Sequence, residues 1–102
     1  MTIALSSRTI KLVELFFKVE DQELIKDILI NEGGNNIPFC ENTTPERSER
    51  IRFSIIKISG GDLGLFDEAL AQAKRDWRDL FFEAGFGKPG EHIDWYNKII
   101  GP

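Results

Sequence analysis

The stretch Leu63-Gly-Leu-Phe66-Asp-Glu68-Ala-Leu70-Ala-Gln72-Ala73-Lys-Arg-Asp76-Trp77-Arg78-Asp79-Leu80-Phe81-Phe82-Glu83-Ala84 decides the fold class. Phe66, Leu70, Ala73, Trp77, Leu80 and Ala84 recur at alternating spacings of four and three residues, one continuous apolar stripe of an α-helix. Asp62 caps the start, after the Gly60-Gly61 turn. Gly85 fits the left-handed position past the end, and Phe86 is placed to touch Phe81 in a Schellman ending. A 63–84 helix is long for a chain of 102 residues, and the other elements must be built around it.

Upstream, Thr44-Pro45 supplies a capping hydroxyl followed by proline at the first helical position. From there Ile51, Ile55 and Ile58 share one side, Phe53 and Ile56 another. Arg47, Arg50, Ser54 and Lys57 form a basic ridge between them. Ile51, Phe53 and Ile55 also alternate as a strand would, but Ile56 breaks the alternation, so the segment reads as a helix. Being apolar on two sides, it belongs in the middle of a bundle.

Residues 33–44 read as a loop pinned by Ile37, Phe39 and Cys40, the rival reading being a recognition loop offering Asn35, Asn36 and Phe39. Before it, a helix capped by Asp21 runs to about Asn31 and stops at Gly33-Gly34. Its acidic start complements the helix dipole. The first helix runs from Ser7 to Val19, capped by Ser6 or Ser7. Its apolar residues, Ile10 to Val19, spread over roughly 220° of the circumference. That excess makes it either central in the fold or part of an oligomer interface, the central position being preferred. After Lys88-Pro89-Gly90, a short helix runs from about Glu91 to Ile100. The expected architecture is a single all-α domain over 1–102: a compact bundle of four to five helices with a long fourth helix, the first, third and fourth supplying most of the core.

Composition narrows function without selecting it. The formal net charge is −4, with 41% hydrophobic and 29% charged residues. The lone Cys40 forms no intramolecular disulfide, which fits a reducing cytoplasm. No signal peptide and no membrane span is read. No phosphate-binding loop, dinucleotide fingerprint or nucleophile elbow occurs, and Gly60-Gly61 is too short to cradle phosphate. No cofactor and no metal are expected. His92, the only histidine, has Glu91 and Asp94 beside it but no second histidine or paired cysteine, so it reads as a terminal surface residue. A thiol nucleophile pairing Cys40 with His92 has nothing to bring the two together.

The candidates lie on the long helix. Glu68, Gln72, Asp76, Asp79 and Glu83 line an acidic arc opposite its core stripe, a pattern that solvated faces commonly make. Asp76 borders Ala69 and Leu80, and a structural network with Arg47 and Arg50 of the basic ridge is its expected role. Phe82 stands apart from the stripe, one turn after Arg78, where the two are placed to stack. It is expected to receive the C-terminal helix through Trp95, the rival reading being that it is exposed and marks a contact surface. Phe82, Arg78, Asp76, Asp79 and Trp95 are thus the candidate binding residues. No catalytic set is read.

One further observation concerns likeness. The residues Asn36 and Pro38, then Arg50, Ile51, Phe53 and Lys57-Ile58-Ser59, lead through Gly61-Asp62-Leu63 to Asp76-Trp77-Arg78-Asp79-Leu80, Ala84-Gly85-Phe86, His92 and Trp95. Over about the last two-thirds of its length the chain resembles a set of small bacterial proteins of unassigned function. The Asp-Trp-Arg-Asp string followed by Ala-Gly-Phe is the specific part. Phe81-Phe82 departs from the aliphatic residues expected there. The resemblance implies a small helical bacterial protein and supplies no ligand or catalytic residue.

The expected function is a non-catalytic cytoplasmic interaction protein, whose partner is another copy of itself or a different protein that it restrains, in the manner of an inhibitor or immunity protein. A small-molecule or metal-binding enzyme using Asp76, Arg78, Asp79 and His92 is the alternative. Nucleic-acid binding through Arg47, Arg50, Arg52 and Lys57 is weaker. Residues 45–57 carry a local net charge of only +2, and the expected aromatic platform and basic pI are missing.

Overall fold

The computed structural model describes residues 3–34, 37 and 43–101. Among these residues five helices follow one another: α1 (Ser7–Phe16), α2 (Val19–Glu32), α3 (Pro45–Ser59), α4 (Leu63–Ala84) and α5 (Glu91–Ile99). No strand occurs among the described residues, and no described helix is long and apolar enough to cross a membrane. The all-α bundle with a long fourth helix is the observed architecture. The pinning of the 33–44 loop is seen at Ile37, which is buried, whereas Phe39, Cys40, Asn35 and Asn36 lie outside the described residues.

Helix α3 is the axis of the bundle. Every residue from Ser48 to Ile56 is buried, so the helix is enclosed on all sides by α4, α1 and α5. Its start is made as the sequence dictates, with the Thr44 hydroxyl accepting the Arg47 N–H at 3.1 Å and Pro45 in the first turn. Its end is a left-handed Gly60, after which Asp62 accepts the Leu65 N–H at 2.9 Å and opens α4.

The first helix is not central. Leu12 and Val13 enter the core, but Leu15 is 56% exposed and α1 ends at Phe16, so the wide apolar band is cut short. Gln22 supplies the reason for the break. Its side-chain amide donates to the Phe17 carbonyl at 3.0 Å and approaches the Glu14 carbonyl, taking up acceptors that a longer helix would have satisfied itself. The chain therefore turns at Phe17. Lys18 becomes the cap residue of α2, and Asp21, expected as that cap, falls inside its first turn. Val19 begins α2 instead of ending α1 and is 80% exposed.

The long helix also departs from expectation at one residue. Asp76 has φ −160° and ψ 99°, an extended conformation that divides α4. Its carboxylate accepts the Arg78 N–H at 3.0 Å, so Asp76 acts as the N-cap of the 77–84 segment. The stripe survives the bend: Phe66, Leu70, Ala73, Leu80 and Ala84 are buried and Trp77 is half-buried. The ending is a full Schellman motif, with the Phe86 N–H on the Phe81 carbonyl at 2.8 Å and the Gly85 N–H on the Phe82 carbonyl at 3.1 Å.

Two cations of the α3 ridge close this ending, and a third cation of α3 closes α2. Lys57 Nζ donates to the Ala84 carbonyl at 2.6 Å. Arg50 donates twice to the Phe86 carbonyl, at 2.9 and 2.6 Å, with its guanidinium 4.0 Å from the centre of the Phe81 ring. Arg52 is only 1% exposed and donates to the carbonyls of Leu29, Ala4 and Ile3 at 3.2, 2.9 and 2.6 Å. Burial lowers its pKa to about 10. The Leu29 carbonyl lies in the last turn of α2, so two helix C-termini, with their excess of acceptors and partial negative charge, are met by cations from α3.

Phe53 then gathers α5. Its ring meets His92 edge-on at 5.1 Å, stacks on Tyr96 at 5.9 Å and meets Trp95 at 6.2 Å. Trp95 continues to Phe16 and Phe86, which seats the last helix against the end of α1 and the segment that follows α4.

The α3–α4 turn tests this packing. Both glycines have positive φ, but a Cβ at Gly60 meets open space whereas one at Gly61 runs into the Phe16 carbonyl oxygen. Chemical denaturation is therefore expected to show a loss of about 1 kcal/mol for Gly60→Ala, from left-handed strain alone. For Gly61→Ala, where the α1 end must also move, the loss is upward of roughly 3 kcal/mol.

Candidate functional site

Four of the candidate residues share the surface of the 77–84 segment and the cap before it. Phe82 is 75% exposed. Phe81 and Phe82 are neighbours, separated by about 100° around the helix, so burying Phe81 under Arg50 turns Phe82 outward. Arg78 is 69% exposed on its side chain and reaches Asp76 at 3.6 Å. Asp79 is exposed on the same segment. Trp95 is not with them. It packs against Phe16, Phe53 and Phe86, and the C-terminal helix leaves Phe82 uncovered.

Three expected contacts are replaced. The Arg47–Arg50–Asp76 network does not form, because Asp76 is committed to capping and faces Arg78, while Arg50 is drawn to the Phe86 carbonyl. Arg47 lies instead over the Trp77 ring at 5.2 Å. Arg78 stacks on Trp77 at 5.6 Å and not on Phe82. The result is an indole with a guanidinium against it from each of two helices, beside an uncovered phenyl ring. Arg47, Arg50, Trp77, Arg78, Phe81 and Phe82 line a groove of about 340 Å³. Burial lowers the pKa of Arg50 at its base, an effect that Glu46 and Glu91 oppose and Arg47 reinforces.

The four cations considered for nucleic acid do not form one surface ridge. Arg52 and Arg50 are buried on main-chain carbonyls, Lys57 is exposed but its Nζ is held by the Ala84 carbonyl, and Arg47 lies over the Trp77 ring.

A second polar cluster went unread in the sequence. Glu49, buried on α3, accepts from Arg8 through both carboxylate oxygens at 3.2 and 3.3 Å and meets His92 Nε2 at 3.2 Å. His92 is fully buried, not at the surface, because it lies one turn before Tyr96 on the face of α5 that meets Phe53. The starts of α1, α3 and α5 converge here around a cleft of about 450 Å³ lined by Ser6, Arg8, Pro45, Gly90 and Ile93. Three positive dipole ends favour a carboxylate among them. Burial alone would raise the Glu49 pKa. Hydrogen bonds from His92, Ser6 and Arg8, with the Arg8 charge, outweigh it and hold the group at about 2.

A carboxylate–imidazole pair is a general-base arrangement only if the second ring nitrogen reaches a reactant. Here Nδ1 is buried and has no hydrogen-bond partner among the described residues, while Nε2 ties α5 to Glu49 of α3. One signal for it existed. Glu49 stands one turn before Phe53 on a helix apolar on two sides, and an acid so placed requires a partner. Among the described residues no group of three or more histidine, cysteine, aspartate or glutamate side chains is arranged to hold a metal, and Glu91, His92 and Asp94 form none. Cys40, the thiol considered with His92, lies outside the described residues.

Comparison with protein-family models, with curated proteins and with solved structures finds no match.

The Glu49 cluster carries an acid-stability signature. The carboxyl titrates near 2 in the fold against an ordinary 4.5. Its contribution is therefore complete above about pH 4.5 and is lost as the pH falls toward 2. It amounts to roughly 3 kcal/mol at most. Urea unfolding between pH 2 and 7 is expected to show a steep acid limb in the parent chain. In Glu49→Gln that limb is shallower and the neutral-pH stability lower.

Proposed function

We propose that this chain is a non-catalytic protein-interaction module that docks a protein partner on the 77–84 segment, with Phe82 as its anchor. The observation that carries the reading is the pairing of a 75% exposed phenyl ring with a groove built from Trp77, Arg47 and Arg78. Covering such a ring is worth about 1.5–2 kcal/mol, and Trp and Arg are the side chains most enriched where binding energy concentrates. The anchor is also preorganised. Asp76 fixes the start of its segment, and Lys57, Arg50 and the Schellman motif fix the end, so little chain entropy is lost when a partner arrives. The setting we propose is the bacterial cytoplasm, which the lone Cys40 and the likeness of the Asp76–Leu80 and Ala84–Phe86 strings to small bacterial proteins support.

The enzyme reading draws less support. Asp76 is occupied as a cap, and His92 belongs to the Glu49 cluster, away from Arg78 and Asp79.

Retention of host proteins on the immobilised chain, with and without nuclease, tests the reading. A stoichiometric protein that survives nuclease is expected with the parent chain. Phe82→Ala is expected to weaken its retention about tenfold or more, as anchors do, while the thermal midpoint followed by circular dichroism stays within the small range of an exposed substitution. A Phe82→Ala chain that unfolds, or that retains the same partner undiminished, removes the reading.

A further inference from the structure

Resting on the reading of the Phe82 face as a docking surface, we infer that the groove takes an acidic segment of a partner protein. An apolar side chain of that segment lies against Phe82 and Trp77, and its carboxylates sit on Arg47 and Arg78.

Charge complementarity carries the choice. The whole chain has a formal charge of −4, yet the groove lining holds three arginines and no carboxylate. Arg50 is buried and occupied by the Phe86 carbonyl. That leaves two cations for a partner. Arg47 makes no ion pair among the described residues and rests on the Trp77 ring. Arg78 is largely exposed over the Trp77 ring, and its contact to Asp76 is long. A guanidinium over an indole ring still has N–H groups to donate to a carboxylate, and its fork geometry matches both oxygens. The two arginines come from different helices and flank the same indole. The matching ligand is therefore a pair of carboxylates bracketing an apolar residue.

The surroundings argue against a polyphosphate. Glu46 precedes Arg47 on α3, and Asp76, Asp79 and Glu83 flank the groove on α4. These acids repel a densely charged strand, while two discrete carboxylates on a partner meet the arginines between them. Phosphate-backbone binding draws on many cations at once, and here there are two.

A displayed library of random 12-residue peptides, selected on the parent chain and counter-selected on Phe82→Ala, tests this directly. The expected winners carry aspartate or glutamate on both sides of an aromatic or aliphatic residue. A synthetic winner is expected to bind about tenfold more weakly to Arg47→Glu and to Arg78→Glu, as charge reversal at a recognition site produces. Replacing the acids of that peptide by lysine is expected to restore binding to Arg78→Glu, a rescue that mere damage to the fold does not give. Winners that require Phe82 but carry no acids overturn the acidic class and leave the docking surface standing. A selection in which nothing depends on Phe82 overturns both. Two controls count against the inference: a 20-nucleotide oligothymidine that displaces the peptide assigns the groove to nucleic acid. A parent chain that sediments as a dimer, and as a monomer when Phe82→Ala, assigns it to a second copy.

Discussion

A helix enclosed on every side must bring its own charges inside, and this is the constraint on which the fold turns. Between Pro45 and Ser59, α3 carries four cations, and nine consecutive residues from Ser48 to Ile56 are buried. A guanidinium without partners in such a place would cost several kcal/mol. The partners it finds are backbone carbonyls at the ends of α2 and α4 and just past α4, where helices leave an excess of acceptors. Arg52 meets Leu29, Lys57 meets Ala84 and Arg50 meets Phe86. Two desolvation costs are offset by one set of contacts. The same contacts fix where α2 and α4 end relative to the axis. Phe86, held by its carbonyl, then presents its ring to Trp95 and His92, and α5 follows.

The bend at Asp76 belongs to the same geometry. An unbroken helix from Leu63 to Ala84 would carry one stripe along one straight face. Extending a single residue re-aims the last two turns, so that Phe81 goes under Arg50 and Ala84 meets Lys57. Asp76 makes this inexpensive because its carboxylate takes one of the N–H groups freed by the break. The exposure of Phe82 is a direct consequence, being the residue next to one that has been turned inward. The chain tolerates an uncovered phenyl ring on a segment whose orientation is fixed elsewhere.

Local chemistry was legible in the sequence, and long-range chemistry was not. The caps at Thr44 and Asp62, the left-handed ending at Gly85 and the four-three stripe depend on residues within a few positions of one another and are legible from spacing alone, while the first cap is narrowed only to Ser6 or Ser7. The destinations of the arginines were missed because their acceptors are main-chain oxygens, which no side-chain pattern advertises. Asp76 stands out in the sequence for bordering Ala69 and Leu80, not as a break in the helix. Its role went unread because a side-chain partner was sought for it when its partner is a backbone N–H two residues on. His92 was misplaced for a related reason: a terminal histidine in a charged neighbourhood reads as solvated, and only the approach of Glu49 from 43 residues away gives it a buried partner. The apolar excess of α1 was counted over a helix that the Gln22 amide cuts short.

The candidate site inherits its character from these anchors more than from its own residues. The 77–84 segment is two turns long, well below the length at which a helix holds itself in water. It stays helical because Asp76 closes one end and a Schellman turn, a lysine and an arginine close the other. Lys57 and Arg50 are thus positioning residues for a surface they do not form. Loosening either would let the last turns fray and would blur the direction in which Phe82 points before it disturbed the buried core around Phe53. The half of the molecule where Glu49 ties the starts of three helices, and the half where α3 cations hold the ends of two, meet along α3, with the Phe86 ring reaching His92 and Trp95 beside it. That is why a helix with almost no surface of its own governs what the surface can bind.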